Sequence, residues 1–388
     1  MGVGSHSAGF VFVSAVGRLL LFMPSLVYKT HWDHRKESAG CQAVKGERLR
    51  VARKKAGLSL RALSKRAGNI VTAQALGKYE RNEMVASAGV VEALTSALGV
   101  EPTFLSADSG IRLGHIDFRK LSRTTAQDRA AVEAAVIEHV ERYLHIEKLL
   151  DLESAAWIAP YTRRAVDTLK QAESAADDAR SAWKLGEDPI PNLTHLLEEK
   201  GLKVLVLALP NTVSGLTCLV QSSGGAATPV IIVNRNHGLE RRRMTLAHEL
   251  AHRCITGIDG LDEEKAATRF ASAFLMPSSH IQREIGKHRR AFDVAELMET
   301  KHLYRVSAAA LVVRFRDLEI ITPETMAYIF QSVGRKWRSV EPEPIKNNAE
   351  AELPTRFRRL CHRALSEGLL GNTLASRYLE QPAKELEC

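Results

Sequence analysis

The chain has 388 residues, 45% of them apolar and 26% charged, a balance that builds packed cores and excludes both a disordered polymer and a bundle of membrane spans. Its net charge of +9 is concentrated: Lys45, Arg48, Arg50, Arg53, Lys54, Lys55, Arg61, Lys65 and Arg66 share one short stretch, which implies a polyanionic partner. The five cysteines, Cys41, Cys218, Cys254, Cys361 and Cys388, never fall in CxxC spacing, so a disulfide framework and a thiolate zinc site are both disfavoured and a reducing cytoplasm fits.

Residues 8–28, AGFVFVSAVGRLLLFMPSLVY, are apolar. Arg18 in the middle, Pro24 near the end and the absence of Lys or Arg before the run weigh against a signal peptide or membrane segment. Residues 1–43 are therefore expected to be a poorly ordered extension or a product of a misassigned start. From Val44 the pattern is short-helical, with GERLRVARKKAG, LSLRALSKRAG, VTAQALGKYERNE and then residues 87–98 closed by Gly99. Each piece ends at a glycine or polar break, which predicts a compact all-α domain over 44–106. Ser59 is placed to cap the second helix.

A helical linker region is expected over 107–180. Within 125–152, Val132, Val136, Val140, Tyr143, Leu144 and Ile146 recur at helical spacing opposite Glu133, Glu138, Glu141 and Glu147, as on a two-faced helix. A second helix is read over 161–185. LKVLVLALP, GLTCLVQ and TPVIIVN (residues 202–210, 215–221 and 228–234) read as strands, being short apolar runs bounded by Pro, Gly and Asn. A helix follows directly, so 181–330 is an α+β unit. The tail, 331–388, carries one further helix in RFRRLCHRALSEGLL.

The helix that follows the strand at 228–234 contains TLAHELAHRCI. Residues four apart share a helix face, so His248 and His252 can present imidazole nitrogens to one ion. Glu249 then lies beside the ion, where a carboxylate serves as general base toward water. A catalytic zinc needs a third protein ligand and an open position. Gly257 and Gly260 let the chain reverse into another helix, on which Glu264 is the best-placed third ligand. Asp259, Asp262, Glu263 and His280 are alternatives. Cys254 reads as packed rather than catalytic.

IIVNRNHGLERRRMTLAHELAHRCI followed by EEKAATRFASAFLMP resembles the ImmA/IrrE family of metallopeptidases. The resemblance extends to AWKLGEDPIPNLTHLLEEKGLKVL upstream and YRVSAAALVVRFRDLEII downstream. It implies a zincin-like α+β domain with a small β-sheet and mainly helical surroundings, Zn2+ held by His248, His252 and Glu264, and Glu249 as the catalytic carboxylate. It also implies cleavage or control of repressor-type proteins. Thr268 stands where the family usually has Asn, a departure bearing on helix packing or on bonding behind the ligands.

GERLRVARKKAGLSLRALSKRAG and the following TAQALGKYERNEM resemble the XRE family of lambda-repressor and Cro-type helix-turn-helix domains. Its recognition helix would span 72–80, with Thr72, Gln74 and Lys78 on base edges or adjacent phosphate and Arg61 and Lys65 on the DNA backbone. Leu60 replaces a usual polar residue, Gly77 interrupts the recognition helix, Val85 and Ala86 stand where proline is usual, and the loop at 69–71 is long. A dimerisation or docking module is the other reading of this bundle. The expectation for the whole chain is a cytoplasmic, homodimeric, DNA-operator-binding regulator with a zinc endopeptidase domain and no membrane partner. Its substrate peptide would add as a strand along 230–234. The alternative is a transcription factor whose peptidase-like domain senses a peptide, metabolite or metal without turnover.

Overall fold

The computed structural model describes residues 44–100, 102–106, 111–113, 125–152, 156–222, 227–337, 339–345 and 352–386. The apolar run at 8–28 lies outside them. Among the described residues no helix is long and apolar enough to cross a membrane.

The N-terminal unit comprises α1 (Gly46–Lys55), α2 (Leu60–Arg66), α3 (Ala73–Glu80), α4 (Ala88–Leu98) and α5 (Pro102–Ser106). The sequence reading had four helices, and α5 is a fifth. Ser59 caps α2 by accepting the Ala62 N–H at 3.1 Å, and Thr72 caps α3 by accepting that of Ala75 at 3.2 Å. Gly99, at φ 64°, closes α4 in the left-handed region that glycine tolerates. Leu49, Leu63, Leu76, Leu94 and Leu105 are wholly buried between the helices. Gly77 is buried and faces Leu60: a Cβ there would stand at ordinary contact distance, 3.7 Å, from Leu60 Cδ1 and 3.3 Å from the mobile end of Arg81, so packing in α3 does not by itself demand glycine. Arg53 ties α1 to α3 through paired bonds of 2.5 and 2.9 Å to Glu80.

After β1 (Ile111–Leu113) comes α6 (Ala126–Leu149), opened by a capping box between Thr125 and Asp128. This helix is not the two-faced element its periodicity suggests. Val136 and Val140 pack on the sheet, Ala134 and Ile137 meet Val51 of α1, and Ile146 meets the C-terminal tail. Its glutamates are engaged rather than solvated: Glu141 pairs with Arg48, Glu138 with Lys55 and Arg142, Glu133 with Lys54 at 3.2 Å, and buried Glu147 with Lys203 at 2.6 Å. The basic stretch is corrected accordingly. Arg48, Arg53, Lys54 and Lys55 meet carboxylates of this chain, and exposed Arg50, Arg61, Lys65 and Arg66 carry the outward charge.

The remaining elements are β2 (Arg164–Val166), α7 (Leu169–Ala182), α8 (Leu193–Glu199), β3 (Lys203–Leu207), β4 (Gly215–Ser222), β5 (Thr228–Asn234), α9 (Leu239–Cys254), β6 (Ile255–Gly257), α10 (Glu263–Leu275), α11 (Ser278–Ile285), α12 (Val294–Tyr304), α13 (Ala308–Asp317), α14 (Pro323–Gln331), α15 (Arg356–Ser366) and α16 (Asn372–Leu379). The helix read over 161–185 starts late. Residues 164–166 pair in parallel with β6, and α7 begins after Thr168, whose hydroxyl accepts the Gln171 N–H. The Thr168-x-x-Gln171 capping signature marks that boundary.

The main sheet runs β1-β4-β5-β3, antiparallel except for the parallel β3–β5 pair. Val204, Val206, Ile231 and Val233 face α9, and Leu205, Leu216, Val230 and Ile232 face α6. Burial on both faces explains the unbroken apolar run of β5. It also corrects the expected substrate path. β5 is hydrogen-bonded on both sides, so no peptide can add to it.

One long-range lock joins the tail to this unit. Glu352, 1% exposed in its side chain, pairs with fully buried Arg243 of α9 and accepts the N–H groups of Leu193 and Thr194 at 3.0 and 3.3 Å, capping α8.

Candidate metal centre

The site is built where α9 meets α10. Leu246, Ala247, Leu250 and Ala251 bury one side of α9 in the core, which fixes the rotation of the helix and turns His248 toward a cleft. At Ile255 the chain becomes extended as β6, held by β2. It then reverses through Asp259 (φ 53°) and Gly260 (φ 83°). Asp262 caps α10 by accepting the N–H groups of Glu264 at 2.9 Å and Lys265 at 3.3 Å. Buried Ala267 and Ala271 let α10 lie close against its neighbours, which brings Glu264, in its first turn, over the histidines.

His248 Nε2 lies 3.3 Å from His252 Nε2 and 3.0 Å from Glu264 Oε2, and Glu264 Oε1 lies 3.5 Å from His252 Nε2. One donor atom from each of the three residues falls within 4.8 Å of the others. A tetrahedral ion with bonds of about 2.0–2.1 Å holds its donors about 3.4 Å apart. The 3.3 Å edge between the two imidazole nitrogens fits that figure, the carboxylate meets the histidines through different oxygens, and two imidazoles with one carboxylate are a donor set suited to a divalent transition metal.

The histidines are oriented from behind. Thr268 Oγ1 donates to the Glu264 carbonyl at 2.7 Å and lies 3.3 Å from His248 Nδ1. With its proton directed at the carbonyl, the hydroxyl can only accept from His248, which sets the N–H on Nδ1 and leaves the Nε2 lone pair facing the other donors. His252 Nδ1 is 3.7 Å from Glu263 Oε1, which also receives Arg163 Nη2 at 3.1 Å.

The other carboxylates weighed from sequence are thereby occupied elsewhere. Asp262 is a cap, Asp259 is in the turn and Glu263 stands behind His252. His280 is buried against the Tyr304 hydroxyl, 2.5 Å from Nδ1, and is outside the donor group. Cys254 is buried, and burial pushes its thiol up to about 12, far from a thiolate nucleophile.

Glu249, 2% exposed, lines the cleft together with His248 and Glu264. The cleft holds about 420 Å³ and continues along α9 past Thr245 to Arg241, with Thr212 to Gly215 as its opposite wall. Gly215 permits this narrow approach: a Cβ there would stand 2.5 Å from Thr245 Cγ2 and 2.6 Å from the Ile232 carbonyl oxygen.

Arg61, Lys65, Thr72, Gln74 and Lys78 are all exposed, on α2 or at α3. Thr72 already uses a lone pair as the α3 cap, so its hydroxyl is left chiefly as a donor. Sequence reasoning missed Arg163, which binds the Ile255 carbonyl at 3.0 Å as well as Glu263. It lies just before the three-residue strand β2, which was read as helix.

Residues 197–316 match the family model described as the IrrE N-terminal-like domain, and residues 49–105 match a helix-turn-helix model. No curated protein and no solved structure matches the chain. The chain thus joins a helix-turn-helix to an IrrE-like, metallopeptidase-type domain, the fusion that its motifs implied.

Proposed function

We propose that the chain is a DNA-bound regulator with a zinc-dependent endopeptidase that cuts a regulatory protein, of which a repressor is the leading class. In this reading residues 44–106 bind an operator as a homodimer in the cytoplasm, 107–180 connect, 181–330 form the peptidase and 331–388 complete it. Arg61 and Lys65 grip phosphate, while Thr72, Gln74 and Lys78 address bases or adjacent phosphate. The observation that carries the reading is the convergence of donor atoms of His248, His252 and Glu264 within 4.8 Å of one another, in one cleft with the buried carboxylate of Glu249.

Those three residues would hold Zn2+. When bound, the ion supplies Lewis-acid polarisation of the scissile carbonyl and makes a nearby water more acidic. The rest falls to this chain. A substrate peptide lies in the cleft between α9 and the wall at Ser214 and Gly215, where the backbone can reach it. Glu249 takes a proton from the attacking water and passes it to the departing amine. The apolar backing of α9 keeps bulk water from the far side of the site.

The test is metal analysis of the purified chain joined to a proteolysis assay on repressor-type proteins. The expected result is one zinc per chain, one cut product, and a Glu249→Gln variant that keeps the metal and yields no product. Absence of stoichiometric zinc, or equal cleavage by the variant, overturns the reading. Operator binding that responds to zinc or a small ligand with no cut product would establish the non-hydrolytic sensor instead.

A further inference from the structure

The cleft does not end at the metal-binding residues. Along α9, positions 241, 244, 245 and 248 fall on one helical stripe, and all four line the same cavity as Glu249 and Glu264. The far end is closed by Arg241, whose Nη2 donates to Ser214 Oγ at 2.9 Å and so bridges the two walls. Arg241 is exposed, and no ion pair joins it to a carboxylate among the described residues. Its neighbours in sequence are engaged elsewhere: Glu240 with Lys301 at 2.8 Å and Arg243 with Glu352. A guanidinium has five N–H donors in a fixed fork, and Ser214 accounts for one. The remainder form a planar, cationic end wall suited to a carboxylate.

From this geometry we propose that Arg241 is a specificity-determining residue: it forms a subsite for a carboxylate of the bound peptide, about three residues from the residue that lies at His248. Residues 241 and 248 are seven apart, about 10 Å along a helix. An extended peptide advances about 3.3–3.4 Å per residue, so the group reaching Arg241 belongs to the third residue from the one at His248. The carboxylate can be an Asp or Glu side chain or the C-terminus of a short peptide. The proposal rests on the reading of this cleft as a peptide site, but it concerns recognition and not the chemical step.

It is tested by equilibrium binding to the full, zinc-supplemented chain carrying Glu249→Gln, which traps peptide without turnover. The probes are fluorescent octapeptide pools, acetylated and amidated, with Glu, Gln or Lys fixed at one position at a time. A parallel pool ends in a free carboxylate. Anisotropy should show Glu pools at one position binding about tenfold more tightly than Gln pools. Adding Arg241→Ala should erase that difference, and Arg241→Glu should invert it in favour of Lys, with zinc content unchanged. Preference confined to the free-carboxylate pool would assign the subsite to a chain terminus. No binding by any pool, or an unchanged Glu-to-Lys ratio in Arg241→Glu, overturns the proposal. Selective binding with no cleavage by the wild-type chain would remove the peptidase reading and leave this one standing.

Discussion

Replacing Thr268 with Val tests whether the proposed metal ligands are held by the atoms behind them. Valine matches the shape of threonine and keeps α10 against α9. The change therefore falls on the hydroxyl that links the Glu264 carbonyl, at 2.7 Å, to His248 Nδ1, at 3.3 Å. Loss of such an orienting partner costs about 10–100-fold in metal affinity. Thr268 is exposed, so water can replace its oxygen, and the lower end applies: about tenfold, or about 1.4 kcal/mol. Competition with a zinc-binding dye measures it directly. Thr268→Asn offers a side-chain oxygen at a similar reach and should retain most of the affinity. Equal zinc affinity in Thr268→Val and wild type would refute the tautomer argument, as would an equal loss in Thr268→Asn.

Three other outcomes follow from groups away from the metal donors. Glu352→Ala leaves Arg243 buried without its counterion, which costs about 3–5 kcal/mol, whereas a paired Arg243→Met and Glu352→Gln exchange, which removes the buried charge and keeps an amide oxygen for the Leu193 and Thr194 N–H groups, should restore most of it. Urea unfolding followed by tryptophan fluorescence reads this, since Trp157, Trp183 and Trp337 share that core, and a single variant within about 1 kcal/mol of wild type would sink it. Burial pushes the Glu198 carboxyl up to about 7. The folded state therefore holds the proton more tightly than the unfolded one, and stability should fall by about 3 kcal/mol as pH rises from about 4.3 to about 7. Glu198→Gln should flatten that slope in unfolding titrations across this range, and an unchanged slope would show the carboxyl to be ordinary. In operator binding, Arg61→Ala and Lys65→Ala should each lower the salt slope by about 1, while Lys54→Ala, whose ammonium faces Glu133 at 3.2 Å, should leave it unchanged; equal effects of all three would refute the division of charge.

The site was largely legible because its determinants are local. Helical spacing pairs His248 with His252, and the residues that turn the chain back lie within 259–262. Which of several acids meets the two histidines needed more than spacing: Asp262 is withdrawn by its capping bonds, a choice made by backbone geometry. The fold was legible where hydrophobic runs and caps speak, as at Ser59, Gly99 and the three long strands. It was not legible where distant residues meet. Arg48 and Glu141 are 93 positions apart, so nothing near either one announces the seam between α1 and α6, and alternating charge on α6 imitates a solvated face. The central position of β5 did leave a signal, since four apolar residues in succession, Val230 to Val233, fit a strand covered on both faces better than one with a free edge.

The lock between Arg243 and Glu352 also bears on how the chain is made. The two residues are 109 positions apart, so at about 5–20 residues per second a ribosome delivers the anion on the order of 5–20 s after the cation. During that interval α9 can form and Asn192 can cap α8, but the buried site of Arg243 lacks its partner and the Leu193 and Thr194 N–H groups lack their acceptor. The helix-turn-helix, whose core from Leu49 to Leu105 is short in sequence, has no such wait. The nascent chain thus gains its N-terminal fold early, and the cleft-bearing unit closes only once synthesis has passed the end of the segment that defines it.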